Sequence, residues 1–173
     1  MLTRAAWMLL AFFVVCAPPA QAQDAQRDAT REQVRATLNA YGPQLGMTFH
    51  QSEKSPYNFG GSLSTGLKYS DSLEIVVVVG AKRTIGVSIY PHYKGGYVNL
   101  DKARDSNGLA RRLLRLDDTG FFYWAADDTL DLYAGFTFTL ESGYPDAAMR
   151  IVLESIPNID GVVGELRPLI DGS

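Results

Sequence analysis

The chain has 173 residues, 16 Lys and Arg against 19 Asp and Glu, a net charge of −3 and one cysteine. That mildly acidic balance, with no basic block, argues against nucleic acid as a partner, since such binding rests on neutralising phosphates. It argues equally against an anionic membrane surface, and a single cysteine leaves no internal disulfide to support the fold.

Arg4 is followed by a continuous apolar run, Ala5 to Ala17, and then by Pro18-Pro19-Ala20-Gln21-Ala22. A positive start, a short apolar stretch and a small-x-small site predict a secretory signal peptide over 1–22, cleaved after Ala22. The run is shorter than the roughly 20 residues that span a bilayer. Cys16 sits inside it after Val14 and Val15, without the small preceding residue a lipid-acceptor cysteine takes. Removing the leader takes away Arg4 and leaves 15 cationic against 19 anionic residues, a net charge of −4. The expectation is an exported protein, periplasmic with an extracellular location as the alternative, and with no stable membrane insertion after cleavage.

Residues 23–29 are polar and alanine-rich and read as a flexible lead. Thr30-Arg31-Glu32-Gln33 spells a capping box, and Val34, Leu38 and Tyr41 repeat at i, i+4, i+7, so a first helix is expected from Thr30 to Gly42-Pro43. Leu45 to His50 reads as a short strand. Residues 51–72, rich in Gly and Ser, read as a loop or an irregular strand. Leu73 to Val79 (LEIVVVV) is too β-branched and short for a helix and reads as a strand buried on both faces. Thr84 to Tyr93 alternates, with Ile85, Val87 and Ile89 on one face, and completes a hairpin; Tyr97 to Leu100 extends the sheet.

Ala103 to Leu116 carries Leu109, Leu113 and Leu116 in one stripe, a second helix capped by Asp105 or Ser106. GFFYWAA over 120–126 leads into the turn pair Asp127-Asp128. Leu132, Ala134, Phe136 and Phe138 then alternate with Tyr133, Gly135, Thr137 and Thr139, the clearest half-buried strand in the chain. Pro145 opens a third helix, and Ile159 to Ile170 is helical in spacing but interrupted by Gly161, Gly164 and Pro168. The order helix, three strands, helix, two strands, helix gives one α+β domain over 30–173, an antiparallel sheet with helices on one side.

No catalytic or metal-binding constellation stands out. His50 and His92 lack metal-ligand spacing. Asp118-Thr119-Gly120 matches the short signature of an aspartic protease half-site, but Asp117 stands where apolar residues precede the catalytic carboxylate, and Phe121 follows where a small residue is usual. Asp127, Asp128 and Asp131 lack the alternate spacing of a calcium loop. No cofactor is expected. The aromatic strand pair places aromatics on both sheet faces, with Trp124 and Tyr133 the candidate partner-binding residues of an exposed patch.

From Leu73 onward the strand pair, the helix GLARRLLRLD, the aromatic hairpin GFFYWAADDTLDLYAGFTF and the helix PDAAMRIVLESI together resemble the YbjN family of candidate bacterial sensory-transduction regulators. The resemblance covers about two thirds of the mature chain. It implies a fold similar to type III secretion chaperones, export of members with a leader, and no catalytic residues to carry over. The last helix of that family runs unbroken, whereas Pro157, Gly161 and Gly164 interrupt it here. These readings give a non-enzymatic domain that binds a protein or peptide, a second copy of itself as a homodimer being one such partner. A small apolar ligand between sheet and helices, or a peptidase using Asp118, are the alternatives.

Overall fold

The computed structural model describes residues 19–173, with side chains from 24 onward. The expected leader lies outside the described residues apart from 19–22, which form the first turn of helix α1 (Pro19–Tyr41). After a 3-10 turn at Pro43–Leu45 come strands β1 (Thr48–Gln51), β2 (Asn58–Leu63), β3 (Ser72–Val79), β4 (Thr84–Tyr93) and the short β5 (Gly96–Tyr97). Helix α2 (Ser106–Thr119), the hairpin β6 (Tyr123–Ala126) and β7 (Leu132–Thr139), and helices α3 (Asp146–Ser155) and α4 (Asn158–Ile170) complete the chain.

Among the described residues the strands form one antiparallel sheet in the order β1-β2-β3-β4-β7-β6, with β5 paired to the far end of β4. One face is the core. Ile75, Val77 and Val79 of β3, Ile85, Val87 and Ile89 of β4, and Ala134 of β7 are fully buried there against the helices. Val34 and Leu38 of α1, Leu109 of α2, Met149 and Leu153 of α3, and Val163 of α4 join the same cluster. Each fully buried aliphatic side chain contributes about 1.5–3 kcal/mol, so this layer outweighs any surface ion pair.

The α+β architecture with helices on one side holds, and three local expectations change. α1 begins before Thr30, so residues 24–29 are helix rather than a loose lead. Thr30 is buried and its hydroxyl donates to the carbonyl of Gln26 at 3.0 Å, an in-helix bond instead of a cap. Arg27 fastens this segment by donating to the Val79 carbonyl at 2.8 and 3.0 Å. The Gly-rich stretch is a regular strand, β2, so four full strands and one short strand precede α2. On the core side the Phe49 ring lies against Gly61, and on the other side the His50 ring lies against Gly60. Rings from β1 thus cover positions where β2 has no side chain. β3 is buried on one face only, alternating buried with half-buried residues, because among the described residues no helix covers the opposite face.

The C-terminal region divides at Pro157 into α3 and α4, and α4 continues through Gly161 and Gly164. Gly164 is required by packing: a Cβ there would stand 2.6 Å from the Tyr69 ring. The turn of α4 before it presents Asp160, 7% exposed, to the loop ahead of β3. Its Oδ2 accepts from Lys68 N at 2.7 Å, and its Oδ1 accepts from Tyr69 N at 3.0 Å and Ser70 N at 2.6 Å. Burial pushes this carboxyl up, but the three N–H bonds more than offset that and hold it below the usual carboxylate range.

Candidate functional site: the open sheet face

Strand alternation assigns every second residue to the uncovered face. With the observed registers, that face carries Thr48 and His50, Gly60 and Ser62, Glu74, Val76 and Val78, Gly86, Ser88, Tyr90 and His92, Tyr133 and Thr137, and Tyr123. Its centre is built from Gly, Ser, Val and Thr and is therefore low and smooth. Its end beside the β6–β7 turn carries the aromatic residues.

Tyr133 lies on this face, half-buried, whereas Trp124 does not. Trp124 pairs with Ala134 on the core side and is only 8% exposed, so it packs into the core and does not stand on the open face. Tyr123, paired with Gly135, takes the open-face position; a Cβ on that glycine would fall within 2.3 Å of its ring. Both phases of β6 are aromatic in sequence, so only the register with β7 decides between them.

Tyr90 is the centre of the aromatic group. Its ring lies 5.2 Å from Tyr133 at 35° and 5.9 Å from Tyr97 at 72°, and Tyr123 meets Tyr133 edge-on at 6.3 Å. His92 packs on Tyr97 at 4.2 Å. The Tyr97 hydroxyl donates to Glu74 Oε2 at 2.6 Å, and His92 Nε2 stands 3.4 Å from the same oxygen. That bond to Glu74, with burial behind it, pushes the Tyr97 hydroxyl up to about 12. Burial first, and then Asp127, also raise Tyr90, while burial, then Tyr123 and then Asp127 raise Tyr133.

The turn beside these rings is tightly held. Asp127 Oδ1 accepts from Thr129 N, Thr129 Oγ1 and Asp131 N at 2.8–3.1 Å, and its carboxyl is held below the usual range chiefly by the Thr129 side chain. Asn99 bridges Asp131 Oδ1 and the Thr129 carbonyl at 2.8 Å each. Leu130 takes the left-handed backbone, φ 63°, that closes the turn. Between turn and rings lies an open hollow of about 390 Å³, floored by Ser88, Tyr90 and Tyr133 and rimmed by Asp127, Asp128 and Thr129. A second hollow of about 300 Å³ lies beyond the Glu74–His92 ridge, between His50, Ser62 and Ser72.

The other sequence candidates fall elsewhere. Asp118 is exposed on the last turn of α2, on a helix rather than the apolar strand that carries a catalytic aspartate dyad. His50 lies over Gly60 and His92 against Tyr97 and Glu74. Among the described residues no three His, Cys, Asp or Glu side chains are grouped to hold a metal ion. On the helical side an apolar cleft of about 160 Å³ lies between Phe121, Phe122, Trp124, Leu116, Ile159 and Val162. It is smaller than the roughly 300–1,000 Å³ of drug-sized ligand sites.

No family model matches the chain, and no curated protein matches it. Among solved structures the chain is similar to the crystal structure of YbjN from E. coli, described there as a candidate transcription regulator. The two are 16% identical, the match covers 79% of this chain and 89% of that chain, and the TM-score is 0.49.

Proposed function

We infer that this chain is a non-enzymatic interaction module that binds a protein or peptide on its open sheet face. The observation that carries this reading is the uncovered face itself: a broad antiparallel sheet with its helices on one side only, and a tyrosine group gathered at one end of the other. A cluster of tyrosines at one end of an otherwise smooth sheet face, with polar residues around it, matches the aromatic enrichment of protein interfaces. The leader predicted over 1–22 makes the periplasm the compartment of this interaction, and no cofactor enters it.

The test is crosslinking in living cells with a photoreactive phenylalanine at Tyr133, and at Arg111 on the exposed side of α2 as the control. A discrete adduct from position 133 that is lost when Thr137→Arg places a charge in the face supports the reading. An adduct at twice the chain's mass identifies a second copy as the partner. Adducts from position 111 alone overturn the assignment of the face.

A further inference from the structure

Three times among the described residues a tyrosine hydroxyl donates to a carboxylate: Tyr57 to Asp28 at 3.0 Å, Tyr93 to Asp171 at 2.8 Å, and Tyr97 to Glu74 at 2.6 Å. The first two pairs are each completed by cations over the ring. The Arg27 guanidinium stands 3.6 Å and Arg31 5.5 Å from the Tyr57 centroid. Lys94 and Arg167 stand 5.4 and 5.9 Å from that of Tyr93. The third pair, on the open face, has no such cation among the described residues, and neither do the rings of Tyr90 and Tyr133.

Among the described residues no lysine or arginine compensates the charge around that third pair. Glu74 has His92 as its ion-pair neighbour, and no Lys or Arg pairs with Asp127, Asp128 or Asp131 among the described residues. The carboxylates act together on the tyrosines, since Asp127, Glu74 and Asp131 all contribute to raising Tyr90. Tyr90 and Tyr133, inclined by 35°, make a shallow shelf rather than a closed cage. A planar guanidinium stacks on such a shelf and presents its forked donors sideways, toward the rim; an ammonium has no plane to stack. The hydrogen-bonded turn of Asp127, Thr129 and Asp131 fixes that rim in advance.

We propose that the hollow floored by Tyr90 and Tyr133 receives an arginine side chain of the partner peptide, its guanidinium stacked on those rings and neutralised by Asp127 and Asp128 at the rim, with Glu74, the partner of Tyr97, and Asp131 adding negative charge beside it. This rests on the reading of the open face as a binding surface and adds the chemistry it selects.

The test uses acetylated tetra-arginine amide and the same peptide built from citrulline, which keeps the shape and removes the charge. Each is titrated into the ¹⁵N-labelled chain and followed by amide chemical shifts. The expected result is saturable movement of Ser88, Tyr90, Tyr97, Thr129 and Tyr133, with the citrulline peptide roughly tenfold or more weaker, the scale of a desolvated cation–π contact. Glu74→Gln keeps an acceptor for the Tyr97 hydroxyl and is expected to weaken the arginine peptide about threefold or more while leaving the citrulline peptide unchanged. Tyr90→Leu, checked for folding by circular dichroism, is expected to abolish the difference between the two peptides. Equal binding of both peptides at the hollow overturns the arginine site while leaving the face as a binding surface, which the crosslink from position 133 decides independently. Arginine-peptide shifts confined to acidic residues outside the hollow overturn it as well.

Discussion

Replacing Asp160 with Asn tests whether α4 is held to the sheet by charge. The carboxylate accepts three backbone N–H groups at 2.6–3.0 Å, two on one oxygen and one on the other. An amide has a single oxygen, so in either orientation its NH₂ confronts at least one N–H, leaving a buried donor without a partner. Hydrogen bonds to a charged group contribute about 1.5–3 kcal/mol each, and an unsatisfied buried donor costs about 1–3. These sum with overlap to an expected loss of about 2–4 kcal/mol at neutral pH, a fall in Tm of roughly 5–15 °C for a domain of this size. The sign of the pH dependence follows from the depressed carboxyl. Its stabilisation is complete well above the unfolded value of about 3.9 and fades as pH falls through the lower folded value. Urea unfolding of both proteins at pH 7 and near pH 3 should therefore show a large gap that narrows in acid, because the carboxylate of the unfolded chain takes up its proton first. A gap that is the same at both pH values would refute the charge argument, and equal stability at pH 7 would refute the latch altogether.

Trp124→Ala is expected to cost about 3–5 kcal/mol, since it empties a buried aromatic site, while Tyr133→Ala on the open face costs about 1 kcal/mol or less; equilibrium unfolding separates the two. Gly164→Ala drives a Cβ into the Tyr69 ring and is expected to destabilise by about 1–3 kcal/mol despite its better helix propensity, read from Tm. Tyr97 and Tyr144, both pushed up to about 12, should ionise last in an absorbance titration at 295 nm, and Tyr97→Phe should remove one of the two late transitions. Because these hydroxyls are raised in the folded state, their contribution is complete below about pH 10 and is lost between there and about 12. N-terminal sequencing of the protein recovered from the periplasm should begin at Gln23; recovery of the chain with Met1 intact would overturn the leader.

Strands β3, β4 and β7 were legible because each alternates or crowds branched apolar residues, a signal contained in the strand itself. β2 was not, since Asn58 to Leu63 offers Gly60, Gly61 and Ser62 at its centre; what completes it is Phe49 and His50, which belong to β1. α4 was obscured for a related reason. Gly164 weakens a helix read alone, yet the Tyr69 ring across the interface needs the missing side chain. At the site, the sequence located the aromatic hairpin and Tyr133, but the choice between Tyr123 and Trp124 depended on cross-strand register. Glu74 and Tyr97 carried no local signal, because they meet only after β4 and β5 have folded back on β3.

The Asp160 contact also sets an order of events. It joins residues 160 and 68 across 92 positions, and Thr37 bonds Asp146 across 109. Neither clasp can close until nearly all of the chain has been made, roughly 5–20 s after β3 emerges at ordinary elongation rates. Until then β4 waits for β7, and the sheet has no fixed far edge. A nascent chain built this way gains the long-range contacts that close its fold only late in its synthesis.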